Sequence, residues 1–290
     1  MSDARIRFVE AQGVRHAYFE AGAGPLVLCV HGFPDTAHTF LPTLAVLAER
    51  GFRAVAPFLR GYSPTAAPST GDYRIATLGR DVLGLASALG AERFALVGHD
   101  WGAMSAYAAA SLAPARVARL CVLAVPHLRT QRVNVAQARR SWYIGFFQLR
   151  GLPERRVRRS DFAFLDRLWR DWSPGWRYAP TDIAPVKECL AQPEALRAAL
   201  GYYRALPTSL SLDRDTRRAV FGKISVPTLS VAGVDDGCMG IEMFARQDAG
   251  FAGPHRLLRI ENAGHFMHRE QPETFHRELI GFLGRPAEIA

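Results

Sequence analysis

The segment Ala95-Leu96-Val97-Gly98-His99-Asp100-Trp101-Gly102 restricts this chain to few folds. An apolar run, of the kind carried by a strand covered on both faces, ends in Gly-x-acid-x-Gly. A small-residue helix, Ala103 to Ala113, follows at once. Gly98 and Gly102 leave room for a tight turn and close helix packing. Such a strand–turn–helix elbow projects the side chain at position 100 from the carboxyl edge of a sheet. That side chain is a carboxylate, which sets the available chemistry. A hydroxyl attacking saturated carbon would leave an ether that water does not readily cleave. An aspartate leaves an ester, whose carbonyl water can attack.

The elbow sits in an alternating pattern. Strands are expected at Arg5–Ala11 and Val14–Glu20, joined at Gly13, then at Pro25–Val30, Arg53–Pro57, Phe94–Val97 and Arg119–Val125. Helical spacing occupies Phe40–Arg50 and Ile75–Leu89, and Gly61-Tyr62-Ser63-Pro64 reads as a turn. This predicts an α/β fold, a mostly parallel sheet wrapped by helices. From about Pro126 to 218 the chain is aromatic- and Arg-rich and helical in period, with no convincing strand. Breaks are expected at Gly151-Leu152-Pro153, Ser173-Pro174-Gly175 and Leu206-Pro207. Strand character returns at Pro227–Ala232 and Arg256–Ile260, and a last helix spans Pro272–Leu283. The expected division is a core of residues 1–126 and 219–290, with an all-helical lid, 127–218, inserted after the sixth strand. A lid there would lie over the strands' carboxyl ends, where open α/β sheets bind ligands.

At 290 residues the chain can bury a large core. Charges in Met1-Ser2-Asp3-Ala4-Arg5-Ile6-Arg7 stand where a signal peptide needs an apolar stretch, and no run reaches membrane-spanning length. The four cysteines, Cys29, Cys121, Cys189 and Cys238, lack metal-ligand spacing, and Cys29 and Cys121 fall in expected buried strands. The expectation is a soluble, reduced, cytoplasmic protein without membrane insertion, a monomer or homodimer.

The formal charge of +9 raises the question of nucleic acid. Residues 127–218 hold 18 Lys/Arg against 9 Asp/Glu, so the whole excess lies there. Nearly all of it is arginine, a bias that a GC-rich genome produces. Arg155-Arg156-Val157-Arg158-Arg159 reads as a solvated helix face, and no nucleic-acid motif accompanies it. No nucleic-acid partner is expected; an anionic surface partner is the alternative.

Three further segments align with Asp100. His31-Gly32-Phe33-Pro34 follows an early central strand, where an elbow architecture takes one backbone N–H of an oxyanion hole; the residue after the nucleophile gives the other. The donors are therefore Phe33 and Trp101. Gly233-Val234-Asp235-Asp236-Gly237 follows a later strand, and either acid could orient a histidine and fix its tautomer. Asn262-Ala263-Gly264-His265-Phe266 precedes the last helix and supplies the base, His265; His268 and His276 compete, with His276 inside that helix.

Together these segments resemble the α/β-hydrolase superfamily over nearly the full chain. His-Gly-Phe-Pro, Gly-His-Asp-Trp-Gly, Ala263-Gly264-His265-Phe266 and Glu270-Gln271-Pro272-Glu273 resemble its epoxide hydrolase and haloalkane dehalogenase branch. The resemblance implies the α/β-hydrolase fold, and its Gly-x-x-Asp spacing selects Asp236. Phe58 departs from it, standing near where many members carry an acid before Arg60-Gly61-Tyr62. Opening an epoxide generates an alkoxide that needs a proton, whereas halide release needs only N–H dipoles. Ser141–Gln148 and Gly201-Tyr202-Tyr203-Arg204 resemble the lid segments where epoxide hydrolases carry two tyrosines, implying Tyr143 and Tyr203. The implied activity is hydrolysis of a small apolar epoxide by water, through an ester on Asp100, with no metal or organic cofactor. The alternatives are a haloalkane dehalogenase with the same Asp-His-Asp triad, or a catalytically silent binding protein of this fold.

Overall fold

The computed structural model describes residues 5–209, 213–285 and 288–289. The start at Met1–Ala4, on which the signal-peptide argument partly rested, lies outside them. Eight strands are present: β1 (Arg7–Ala11), β2 (Val14–Ala21), β3 (Leu26–Val30), β4 (Arg53–Pro57), β5 (Phe94–His99), β6 (Val117–Leu123), β7 (Thr228–Gly233) and β8 (His255–Ile260). β1 and β2 form a hairpin turned at Gln12 and Gly13, whose φ angles of 51° and 69° suit a two-residue turn between twisted strands. β2 pairs antiparallel with β4, and every later ladder is parallel. The order across the sheet is β1-β2-β4-β3-β5-β6-β7-β8.

β3, β5 and β7 are buried at every position, as their unbroken apolar runs require when helices cover both faces. The helices before β6 are α1 (Leu41–Glu49), α2 (Ile75–Ala88) and α3 (Trp101–Leu112). Many boundaries shift by one or two residues from expectation, and two of the shifts have a local cause. β6 begins at Val117 and stops at Leu123, because Ala124 takes a φ of 69° and turns the chain out of the sheet. α3 starts at Trp101 rather than Ala103, since Asp100 alone makes the turn.

Between β6 and β7 the described residues form α4 (Val135–Arg140), α5 (Trp142–Phe147), α6 (Leu152–Trp172), α7 (Pro180–Ala191), α8 (Pro193–Arg204), α9 (Leu206–Ser209) and α10 (Arg214–Phe221), with no strand. Gly151 and Ser173 bound α6, near the expected breaks. Leu206-Pro207 marks the expected break, α8 ending at Arg204 and α9 opening at Leu206. A break with no proline or glycine signal interrupts α6 at Arg159–Phe162, where Ser160, Asp161 and Phe162 all have positive φ. This helical segment is seated on the loops at the sheet's carboxyl ends. The Trp169 indole donates to the Pro34 carbonyl at 2.8 Å, and the Tyr202 hydroxyl to the Arg60 carbonyl at 2.9 Å. Position 218 falls inside α10, which packs on α3 through a reciprocal pair: the Ser111 hydroxyl donates to the Arg218 carbonyl and the Arg218 guanidinium to the Ser111 carbonyl. After β8 come α11 (Met267–Glu270) and α12 (Pro272–Leu283). No helix is long and apolar enough to cross a membrane.

Candidate active site

β5 ends and α3 begins at a single residue, Asp100, held at φ 53° and ψ −115°. A non-glycine residue in that region costs about 1–3 kcal/mol and persists only where its surroundings impose it. The neighbours impose it by having no side chains. A Cβ at Gly98 would strike the Gly102 carbonyl, and one at Gly102 the Val30 carbonyl. A Cβ on Gly32 would fall within the Asp100 side chain itself. The third glycine thus opens the room in which the carboxylate stands.

The two carboxylate oxygens have different surroundings. Oδ1 accepts from the Phe33 N–H at 2.8 Å, and Oδ2 lies 3.7 Å from Nε2 of His265. The Trp101 amide opens α3, among the N–H groups that an α-helix leaves without an intrahelical partner. The Phe33–Pro34 bond is cis. His31 braces this loop as a neutral imidazole. Its Nε2 accepts from the Leu59 N–H at 3.0 Å, so Nδ1 is the protonated nitrogen and donates to the Gly32 carbonyl at 2.9 Å. Burial holds its pKa down to about 4.

His265 is fully buried, and its Nδ1 lies 2.9 Å from Oδ2 of Asp236. The other Asp236 oxygen accepts from the amides of Cys238 and Met239 at 2.7 and 2.9 Å, so the carboxylate is fixed before it meets the imidazole. Asp235 points to solvent and only its amide is engaged, on the Ala263 carbonyl. Burial pulls the His265 pKa down, but the Asp236 and Asp100 carboxylates outweigh it and hold the imidazole well above its ordinary value. Nε2 has no hydrogen-bond partner and faces Asp100. Of the competing histidines, His276 lies in α12 against Thr43, and His268 in α11 against Thr39.

Tyr143 on α5 and Tyr203 on α8 are both buried, with ring centroids 5.6 Å apart. The Tyr203 ring stands 5.3 Å from Phe33 and 5.1 Å from Trp101, and the Tyr143 ring 5.1 Å from Trp172. The Tyr143 hydroxyl meets the Cys238 thiol at 3.4 Å, while the Tyr203 hydroxyl has no partner. Burial above all, with the Asp100 charge among the further causes, raises both phenols well above their ordinary pKa. Both are proton donors. The structure therefore brings Asp100, Asp236, His265, Tyr143, Tyr203, Phe33 and Trp101 to one place, under aromatic rings.

The chain matches the alpha/beta hydrolase fold family over residues 25–272. It belongs to that family. Among α/β hydrolases it is 32% identical to Epoxide hydrolase A of Mycobacterium tuberculosis (strain ATCC 25618 / H37Rv), over 96% of each chain. It is 28% identical to the AB hydrolase superfamily protein YfhM of Bacillus subtilis (strain 168), over 98% of this chain and 99% of that one. Among solved structures it resembles the Bacillus megaterium epoxide hydrolase in complex with an inhibitor, with a TM-score of 0.84, 26% identity, and 96% and 99% of the two chains covered. The chain is an epoxide hydrolase-like α/β hydrolase.

Several groups around this α/β-hydrolase site carried no signal in the sequence. Cys238 reads there only as one of four cysteines without metal-ligand spacing, yet its thiol meets the Tyr143 hydroxyl. His99 donates from Nε2 to the His265 carbonyl at 3.0 Å, and its Nδ1 looks toward Asp35 at 4.0 Å. Burial raises Asp35 to about 7 and lowers His99 to about 3. Asp35 directly follows His-Gly-Phe-Pro and His99 lies inside Gly-His-Asp-Trp-Gly, but neither motif signals the contact between them.

Proposed function

We propose that this protein hydrolyses epoxides to vicinal diols through a covalent ester on Asp100. The observation that carries the reading is one carboxylate with its oxygens already differentiated, next to two buried, protonated phenols. Oδ1 is held at the Phe33 amide, which leaves Oδ2 as the attacking atom. Attack on an epoxide carbon forms the C–O ester bond and breaks the ring C–O bond. The departing oxygen takes a proton from Tyr143 or Tyr203. The helical segment 127–218 serves as the lid that brings those hydroxyls over Asp100.

Hydrolysis follows from the same geometry. In the resting site His265 lies between two carboxylates, which favour its protonated form. Alkylation removes the Asp100 charge, so the imidazole gives up its proton more readily while the spent phenolate regains one. Neutral His265, oriented by Asp236, then takes a proton from water as that water attacks the ester carbonyl. The new oxyanion is the former Oδ1, at the Phe33 and Trp101 amides, each donor contributing roughly 3 kcal/mol to such a transition state. Collapse expels the alkoxide, which takes the proton from His265, and leaves Asp100 as the acid; its remaining proton then passes to His265, which restores the resting carboxylate and imidazolium. The product is a diol, and water is the only co-substrate. The name of the M. tuberculosis relative supports the epoxide reading over halide release.

Replacing His265 with Gln tests the first step. The ester should accumulate as a mass adduct on the peptide containing Asp100, and diol formation should fall by at least about a hundredfold. Absence of an adduct across a broad epoxide panel overturns the proposal. The Tyr143→Phe, Tyr203→Phe double variant should lose ring opening and keep its circular dichroism spectrum. Undiminished turnover in that variant, or release of halide from haloalkanes by an enzyme inert to every epoxide, removes the phenols from the reaction.

A further inference from the structure

The positive charge on the lid has a position as well as a size. Residues 132–159 hold eight arginines and a single acid, Glu154, which Arg204 already neutralises at 2.8 Å. Arg132, Arg139, Arg150, Arg155, Arg156, Arg158 and Arg159 are exposed and make no ion pair among the described residues. The same stretch carries Val133, Val135, Trp142, Leu149 and Leu152, each between 42% and 69% exposed. Among the described residues, the remaining exposed large hydrophobics are Ile6 and Phe8, on the far N-terminal strand region. Free arginines and exposed apolar side chains therefore share one 28-residue stretch.

Helical geometry explains how such a surface coexists with the active site. On α5, Tyr143 and Phe147 are four apart and buried, facing Tyr203. Trp142, at the start of the same helix, is 42% exposed, and Leu149, just past its end, is 50% exposed. One short helix thus buries Tyr143 and Phe147 beside Tyr203 and leaves Trp142 partly exposed at its start.

We propose that this outer face of the lid docks on an anionic lipid surface. A bilayer uses both components: arginines meet anionic headgroups, and Trp, Leu and Val enter the boundary below them. A nucleic acid would engage the arginines and leave the valines and Leu149 in water. A second copy of the chain would set like charge against like charge. Binding is peripheral, since no helix crosses a membrane. The docking stands on the surface alone and not on the chemistry at Asp100, so its test reads binding, not turnover.

The full chain is sedimented with vesicles of pure phosphatidylcholine and with vesicles containing about 30% phosphatidylglycerol, across a salt series. The expected result is binding to the anionic vesicles only, weakening as salt rises. Each basic contact contributes about fivefold, so Arg155→Gln with Arg156→Gln should lower partitioning by about 25-fold. Val133→Ser, Val135→Ser and Leu149→Ser together should lower it at least about tenfold, with unchanged thermal unfolding and unchanged affinity for heparin. No binding to anionic vesicles at low salt overturns the proposal. So does a triple serine variant that binds vesicles as the parent does, which would reduce the surface to a general polyanion patch.

Discussion

At the scale of residues, the site depends on atoms that are missing as much as on those present. A methyl group at position 32 would overlap Asp100, so Gly32→Ala must displace the carboxylate from the Phe33 amide. Misplacing a reacting group by about an ångström costs roughly a hundredfold. The expected outcome is that loss in kcat/KM with an unchanged circular dichroism spectrum, read in steady-state assays on the preferred epoxide. A second expectation concerns protons. The resting imidazole of His265 titrates well above its ordinary value because two carboxylates face it. Ester formation leaves one, so the pKa governing ester breakdown must lie lower. Single-turnover hydrolysis of the ester should rise with pH and level off below the pH at which nuclear magnetic resonance finds the free enzyme's His265 titrating. Equal values in both states would mean that Asp100 and His265 are not electrostatically linked.

At the scale of elements, legibility followed the range of the signal. β3, β5 and β7 were readable because an unbroken apolar run and a strand covered on both faces express the same burial. The elbow was readable because its glycines and its acid are neighbours in the chain. The break in α6 was not, because Ser160, Asp161 and Phe162 carry no proline or glycine to announce their positive φ. Cys238 beside Tyr143, and His99 beneath His265, depend on segments 95 and 166 residues apart, and one sequence holds no trace of such pairings. Glu270 belongs in the same class. From α11 it accepts from the amides of Gly264 and Phe266 and from the Ser173 hydroxyl, bracing the loop that bears His265. Burial raises its pKa, so these contacts are its compensation. Glu270→Ala should cost about 2–3 kcal/mol in chemical denaturation. Activity should fall further than the unfolded fraction accounts for, because the loop carries the base.

At the scale of the whole molecule, the helical segment between β6 and β7 is tied to the loops of the sheet by buried polar contacts. Arg60 lies beneath α8, its guanidinium paired in two-pronged fashion with Asp81 on α2 at 2.5 Å and its carbonyl receiving the Tyr202 hydroxyl. Both side chains of the pair are nearly excluded from solvent. Removing one partner strands the other, so Arg60→Leu should destabilise the fold by about 3–5 kcal/mol in denaturant titration. Asp81→Asn with Arg60→Leu should recover part of that loss. That the sheet is mostly parallel and that the segment between β6 and β7 is helical were legible at this scale, since both follow from local periodicity. How that segment is fastened was not, because each fastening joins residues remote in the chain.

One fastening limits how a substrate can enter. The Trp172 carbonyl, at the end of α6, receives two amides, from Gly237 in the loop of Asp236 and from His265 itself. Lifting that helix end would release the Asp236 loop and His265 together. Any passage to Asp100 that keeps both in place must leave the C-terminal end of α6 where it is.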